Sequence, residues 1–229
     1  MSSTGLLSLL QLSDPTLPIG SYAHSNGLET YVQFGIVRDL TTARTFITQM
    51  LCQNLHYTDA AFASLAYDAA MQNDAHRIIE LDDECTALKL PKESRHASQK
   101  LGIRLLKIFE PGTGNELLLN YKKSIQQHRA LGHYSIVFGM YACALGILKA
   151  DALTGFYYNA AVAMVTNSVK LIPLGQQDGQ EMLFSLQPLI TTLVKNSLVP
   201  AVDKIGLCCT GFDIRCMQHE QLYSRLYMS

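Results

Sequence analysis

Apolar residues recur at helical spacing along most of this chain, and that periodicity constrains the fold more than any other feature. Phe46, Ile47, Met50, Leu51 and Leu55 share one face of a helix. Phe62, Leu65, Ala66 and Ala69 share the next, and Leu101, Leu105, Ile108 and Phe109 follow the same rule. Strand-like alternation bounded by turn residues is nearly absent. The expected class is therefore all-α, with roughly eight to ten helices. Breakers divide them. Pro15, Pro18 and Gly20 make an irregular N-terminal lead-in, and Pro91 starts a helix, where its missing N–H does no harm. Residues 110–115 (Glu-Pro-Gly-Thr-Gly-Asn) read as a loop with Asn115 as the next N-cap. Pro173 and Gly175 end a long helix that begins near Ala152, and Pro188 is expected to kink or split the following one.

No Ser-, Gly- or charge-rich linker interrupts the chain, so one domain over residues 1–229 is expected. Almost half the residues are apolar (48%) and only 16% are charged, which is low for a soluble monomer. A thick helical core and extra surface buried between subunits both account for it. Two segments are rich in small residues: Gly139, Ala142, Ala144 and Gly146 in one, and Ala160, Ala161 and Ala163 in the other. Small side chains let helix axes approach closely. The charge balance of 18 basic and 19 acidic residues, with no basic stripe, argues against nucleic acid as a partner. The apolar runs at 134–148 and 152–169 are too short or too polar for membrane spans and read as core helices. No signal peptide is recognisable at the N-terminus, which points to a cytoplasmic protein with reduced thiols.

The chain lacks G-x-x-x-x-G-K-[ST], a strand-linked G-x-G-x-x-G, H-E-x-x-H and G-x-S-x-G. No catalytic residue and no cofactor is expected. Cys208, Cys209, Cys216 and His219 have the ligand chemistry for zinc or nickel, but their spacing fits no standard structural site, so they are read as ordinary cysteines and a histidine. The remaining histidines, including His128 and His133, read as core or surface residues.

Two segments point to docking. Lys170 and the polar stretch Gln176–Gln180 are read as a turn between apolar helices, offering amides to a partner. The last residues place Ile214, Met217, Leu222, Tyr223, Leu226 and Tyr227 near one face of a short helix. A segment from Met217 onward is too short to be a stable helix alone and must dock. Near that surface Arg225 is expected to hydrogen-bond backbone carbonyls or to pair with a carboxylate such as Glu220. The core is expected to stay folded without residues beyond Gln218.

Five groups of residues, in order, then converge on one family. They are Leu9–Leu12 with Leu17-Pro18-Ile19-Gly20 and Gly27-Leu28-Glu29; Arg95, Ser98, Leu101-Gly102 and Arg104; His133, Val137 and Gly139; Leu171–Gln176 with Gly179-Gln180; and His219-Glu220, Leu222–Tyr227 and Ser229. The chain resembles the urease accessory protein UreF family over nearly its whole length. Lys170, Tyr227 and Asn26 stand where the family often has arginine, phenylalanine and glutamine. The resemblance implies an all-α, non-enzymatic chaperone for nickel insertion. It implies UreD (or UreH), the GTPase UreG and apo-urease as partners, and a homodimer within that complex. It carries partner-binding roles onto Lys170, Gln176, Gln180, His219, Glu220, Tyr223, Arg225, Leu226 and Tyr227. The alternatives are a small all-α metal-dependent enzyme or a ligand-binding regulator with a Cys/His site near 208–219.

Overall fold

Local capping explains where several helices begin. The Asp39 carboxylate accepts the Thr42 N–H at 2.8 Å, Asp74 accepts from Arg77 at 2.9 Å and Asn115 from Leu118 at 3.1 Å. The computed structural model describes residues 3–207 and 209–228, without the side chains of Pro111 and Thr113. Within them the chain forms eleven α-helices and no strand. They are α1 (Ser3–Leu12), α2 (Leu28–Gln33), α3 (Leu40–Gln49), α4 (Asp59–Met71), α5 (Ala75–Leu88) and α6 (Lys92–Thr113). Then come α7 (Glu116–Gln126), α8 (Tyr134–Ala144), α9 (Lys149–Leu171), α10 (Gln176–Ser197) and α11 (Thr210–His219). The all-α expectation holds, with one helix more than its upper bound. A π-helical turn, Met50–Leu55, continues α3.

The small residues place the centre. α8 is buried along Ser135–Ala142 and packs against α4, α6 and α9. α4 presents Ala60, Ala63, Ala66 and Ala69 to the same core. A Cβ on Gly139 would strike the Ala63 carbonyl and crowd the Tyr67 amide and Ala66. Glycine is therefore required there by the approach of two helix backbones, not by its own conformation. Aromatic residues fill the wider gaps: Phe138 meets Phe156 edge-on at 4.9 Å and Tyr134 stacks on Phe156 at 5.8 Å. Gly146 differs: it lies past the end of α8 at φ +67 and faces open space, so it ends a helix and packs nothing.

Two breaker expectations need correction, at residues 110–115 and at Pro188, while Pro91 does start a helix. α6 continues through Glu110–Thr113, so the expected loop shrinks to Gly114 and Asn115. A proline removes one backbone bond, whereas Gly114 at φ +51 leaves helical geometry altogether, and that is the stop. Pro91 is the N-cap of α6, one residue before its first helical position. α10 runs unbroken past Pro188, because the residue faces solvent while Leu186 and Ile190 anchor the helix on either side.

The Gly139 contact yields a stability test. Gly139→Val forces α4 and α8 apart and should cost about 1–3 kcal/mol. Thermal melts of the variant should show a clearly lowered Tm.

Candidate functional site

The site is built where the C-terminal segment returns to α2 and α6. After His219 the chain leaves the helix and runs as turns to Met228, so the expected terminal helix stops short. Its course is set by one carboxylate. Glu29, buried on α2, accepts the Leu226 N–H at 2.6 Å on Oε1. Its Oε2 accepts the Tyr227 N–H at 3.1 Å and bonds His219 Nε2 at 3.0 Å. A continuing helix would spend those amides on its own carbonyls; the turn frees them for Glu29.

Glu93, in the first turn of α6, holds the other side. Its Oε2 bonds His219 Nδ1 at 2.7 Å and its Oε1 accepts from Arg225 Nη1 at 2.8 Å. The fully buried His219 ring thus lies between two carboxylates, and both contacts are satisfied when both ring nitrogens donate. Gln33 Nε2 donates to the Ser224 carbonyl at 2.8 Å, and the Met228 N–H donates to the Ala23 carbonyl at 2.8 Å. α11 lies directly over Gly27, whose φ is +80; a Cβ there would meet Cys216 Sγ and the Phe212 ring.

The expected site residues separate into two kinds. His219 and Tyr227 face inward and are buried, and Arg225 is spent on Glu93, not on Glu220. Truncation after Gln218 would remove His219 and Tyr227, both buried. Glu220, Tyr223 and Leu226 face outward, with Tyr223 fully exposed at 107% and Leu226 at 68%. Ile214, Met217 and Met228 add to this exposed apolar set. Gln176 and Gln180 are exposed too, but they occupy the first turn of α10; the actual corner is Ile172–Gly175, closed by the Gly175 N–H donating to Asp178 at 2.8 Å. Lys170 is exposed on the last turn of α9. No hydrogen bond among the described residues joins Lys170, Gln176 or Gln180 to the tail.

The cysteines take up other partners. Burial pushes the Cys216 thiol up to about 12, and it bonds Ser94. A neutral thiol and a histidine occupied on both nitrogens are poor ligands. Cys208 lies outside the described residues. Among the described residues no group of three or more potential ligands is placed to hold a metal ion.

The remaining motif residues bind the scaffold together. Arg104 Nη1 donates to the Ile19 carbonyl at 2.9 Å. Asn167 Nδ2 donates to the His24 carbonyl at 3.0 Å, fixing the N-terminal lead-in to α9. His133 Nδ1 bonds Ser98 Oγ at 3.0 Å and Nε2 bonds Thr86 Oγ1 at 2.9 Å. Asp82 organises the chain before α8: it accepts from Tyr121 Oη at 2.8 Å and from the N–H groups of Leu131, Gly132 and His133. Burial drives the His133 imidazole down from 6.5 to about 4, opposed by the Asp82 carboxylate. Sequence reasoning did not single out Glu93 or Asp82, and quoted Glu29 without a role. Their partners lie tens to nearly two hundred residues away, so no local spacing announces them.

The UreF family profile matches residues 37–187. The chain belongs to the UreF family. A urease accessory protein UreF from Actinobacillus pleuropneumoniae serotype 5b is 50% identical over 221 residues, covering 96% of this chain and 97% of the relative. One from Haemophilus influenzae strain PittGG is 49% identical over 228 residues, 100% and 97% of the two chains. One from Bacillus sp. strain TB-90 is 36% identical over 225 residues, 98% and 99%. The UreF resemblance read from five separated motifs thus holds over nearly the full length.

Two measurements test this geometry. Glu29→Ala leaves two backbone N–H groups and His219 without their acceptor and should cost about 3–5 kcal/mol. Urea unfolding should show that loss, whereas Glu220→Ala, at an exposed position, should match the unmodified protein. His133 gives a pH effect. Its folded-state value lies below the unfolded one, so the unfolded chain binds more protons between pH 6.5 and about 4. Stability should therefore fall with acidification through that window, by on the order of 1 kcal/mol per pH unit. Urea midpoints at pH 7 and pH 5 should differ accordingly, and the dependence should be smaller in His133→Gln.

Proposed function

We propose that this chain is a non-catalytic scaffold in urease maturation, a cytosolic single-domain protein that works as a homodimer. It holds UreD (or UreH) and the GTPase UreG together and supports nickel delivery to apo-urease. Coupling to UreG requires tighter binding of one nucleotide state than the other, since only differential affinity links two equilibria. Membership of the UreF family carries the reading. The tail supports it: a segment fixed from inside by Glu29 and Glu93 holds Tyr223, Leu226 and Met228 out to solvent. Such preordered apolar side chains bind a partner at low entropic cost. No helix among the described residues is long and apolar enough to cross a membrane.

The surface positions allow a clean test, because they contribute little to the core. Tyr223→Ala with Leu226→Ala should leave the circular dichroism spectrum and Tm unchanged. It should weaken co-purification with UreD by about tenfold or more and reduce urease activation in parallel. Gln176→Ala with Gln180→Ala should likewise leave folding intact and reduce activation. Wild-type binding and activation in both double variants would refute the assignment of these surfaces.

A further inference from the structure

The solvent edge of α6 carries one sign of charge. From Lys92 to Lys107 the exposed residues are Lys92, His96, Lys100, Arg104 and Lys107. All are basic, in a chain whose 18 basic and 19 acidic residues balance. The first four are spaced four apart and Lys107 follows three later, so the helix gathers them into a row about 22 Å long. Along the chain the same residues are diluted by apolar and acidic neighbours. The expectation of no basic stripe is therefore corrected by the fold: the helix makes one.

The row is bare. Among the described residues no ion pair engages any of its five members. The acids of α6 itself are turned elsewhere: Glu93 binds His219 and Arg225, and Glu110 binds Lys122. α5 shows the ordinary arrangement, with Arg77 meeting Glu80 at 3.2 Å and Glu84 at 2.8 Å. Like charges three and four apart, as at Lys100, Arg104 and Lys107, weaken a helix. Folding gains nothing from such a row. Arg104 is also held in place, since its Nη1 donates to the Ile19 carbonyl at 2.9 Å.

We propose that this edge of α6 is an electrostatic docking surface for an acidic segment of a protein partner, with Lys92, Lys100 and Lys107 as its main contacts. The matching occupant is a row of carboxylates of similar length, such as Asp and Glu along one helix face. Other polyanions fit less well. The exposed positions of the row include no apolar side chain to enter a lipid surface and no aromatic ring on which a base could stack. A net charge of −1 gives no long-range pull on a polyanion, so binding depends on the local match of row to row. Exposed charges of this kind set encounter rate and register, and salt screens them over about 10 Å at 0.1 M.

Fluorescence anisotropy on the full-length protein tests the surface, with a labelled helical peptide of about 20 residues carrying glutamate at every fourth position. The peptide should bind at low salt and be released steeply as sodium chloride is raised. Lys92→Gln with Lys100→Gln and Lys107→Gln should weaken binding about tenfold or more, with an unchanged circular dichroism spectrum. Arg38→Gln with Lys195→Gln and Lys204→Gln removes the same charge from other exposed positions and should leave binding within about twofold. The α6 triple variant alone should also reduce urease activation several-fold in cells, an arm that rests on the scaffold reading. Failure of that reading is distinguishable: the unmodified chain would then not support urease activation, while the peptide still decides the surface. Absence of peptide binding, or equal loss in both triple variants, would overturn the proposal. So would tighter binding of anionic phospholipid vesicles or duplex DNA than of the peptide, or normal urease activation by the α6 triple variant.

Discussion

A single buried carboxylate joins the two ends of this fold. Glu29 accepts hydrogen bonds from Leu226 and Tyr227 and contacts His219, all about 190 positions further along the chain. A buried anion is costly unless its lone pairs are occupied, and here three groups converge on it. The tail has no regular secondary structure after His219, and Glu29 takes up the Leu226 and Tyr227 amides that no helix or strand pairs. The carboxylate and the tail thus need each other. The docking face proposed for the tail follows from that mutual dependence.

The body against which the tail closes is rigid for a different reason. Alanines of α4 and Gly139 of α8 let two helix backbones approach until main chain meets main chain. Asp82 then fixes the chain entering α8 by gathering three consecutive backbone N–H groups, and neutral His133 completes the polar contacts. Apolar packing acts at the middle of α8 and a satisfied buried polar network at its start.

This division also sorts the residues that the UreF family resemblance singles out. Some of them are glue: His219, Tyr227, Ser98 and His133 are buried, and Arg225 is bound to Glu93. Others, Tyr223, Leu226, Glu220, Lys170, Gln176 and Gln180, stand in solvent. A motif read along the chain mixes the two, because inward and outward side chains alternate within a few residues of each other. Only the outward set can meet a partner without disturbing the core.

The sequence alone determined the helical class, the close helix approach at Gly139, the Asn115 cap and the family. Each is written locally: a 3.6-residue period, a side-chain oxygen before a helix, glycines and alanines at packing positions, ordered motifs. It misjudged the loop at 110–115, the break at Pro188 and the turn at 176–180, where neighbouring helical residues outweigh a single local breaker. The partner of Arg225, the role of Glu29 and the gathering of backbone donors by Asp82 were decided by tertiary structure. They join residues brought together only when the helices pack, and a pairing between distant positions leaves no periodicity in either segment.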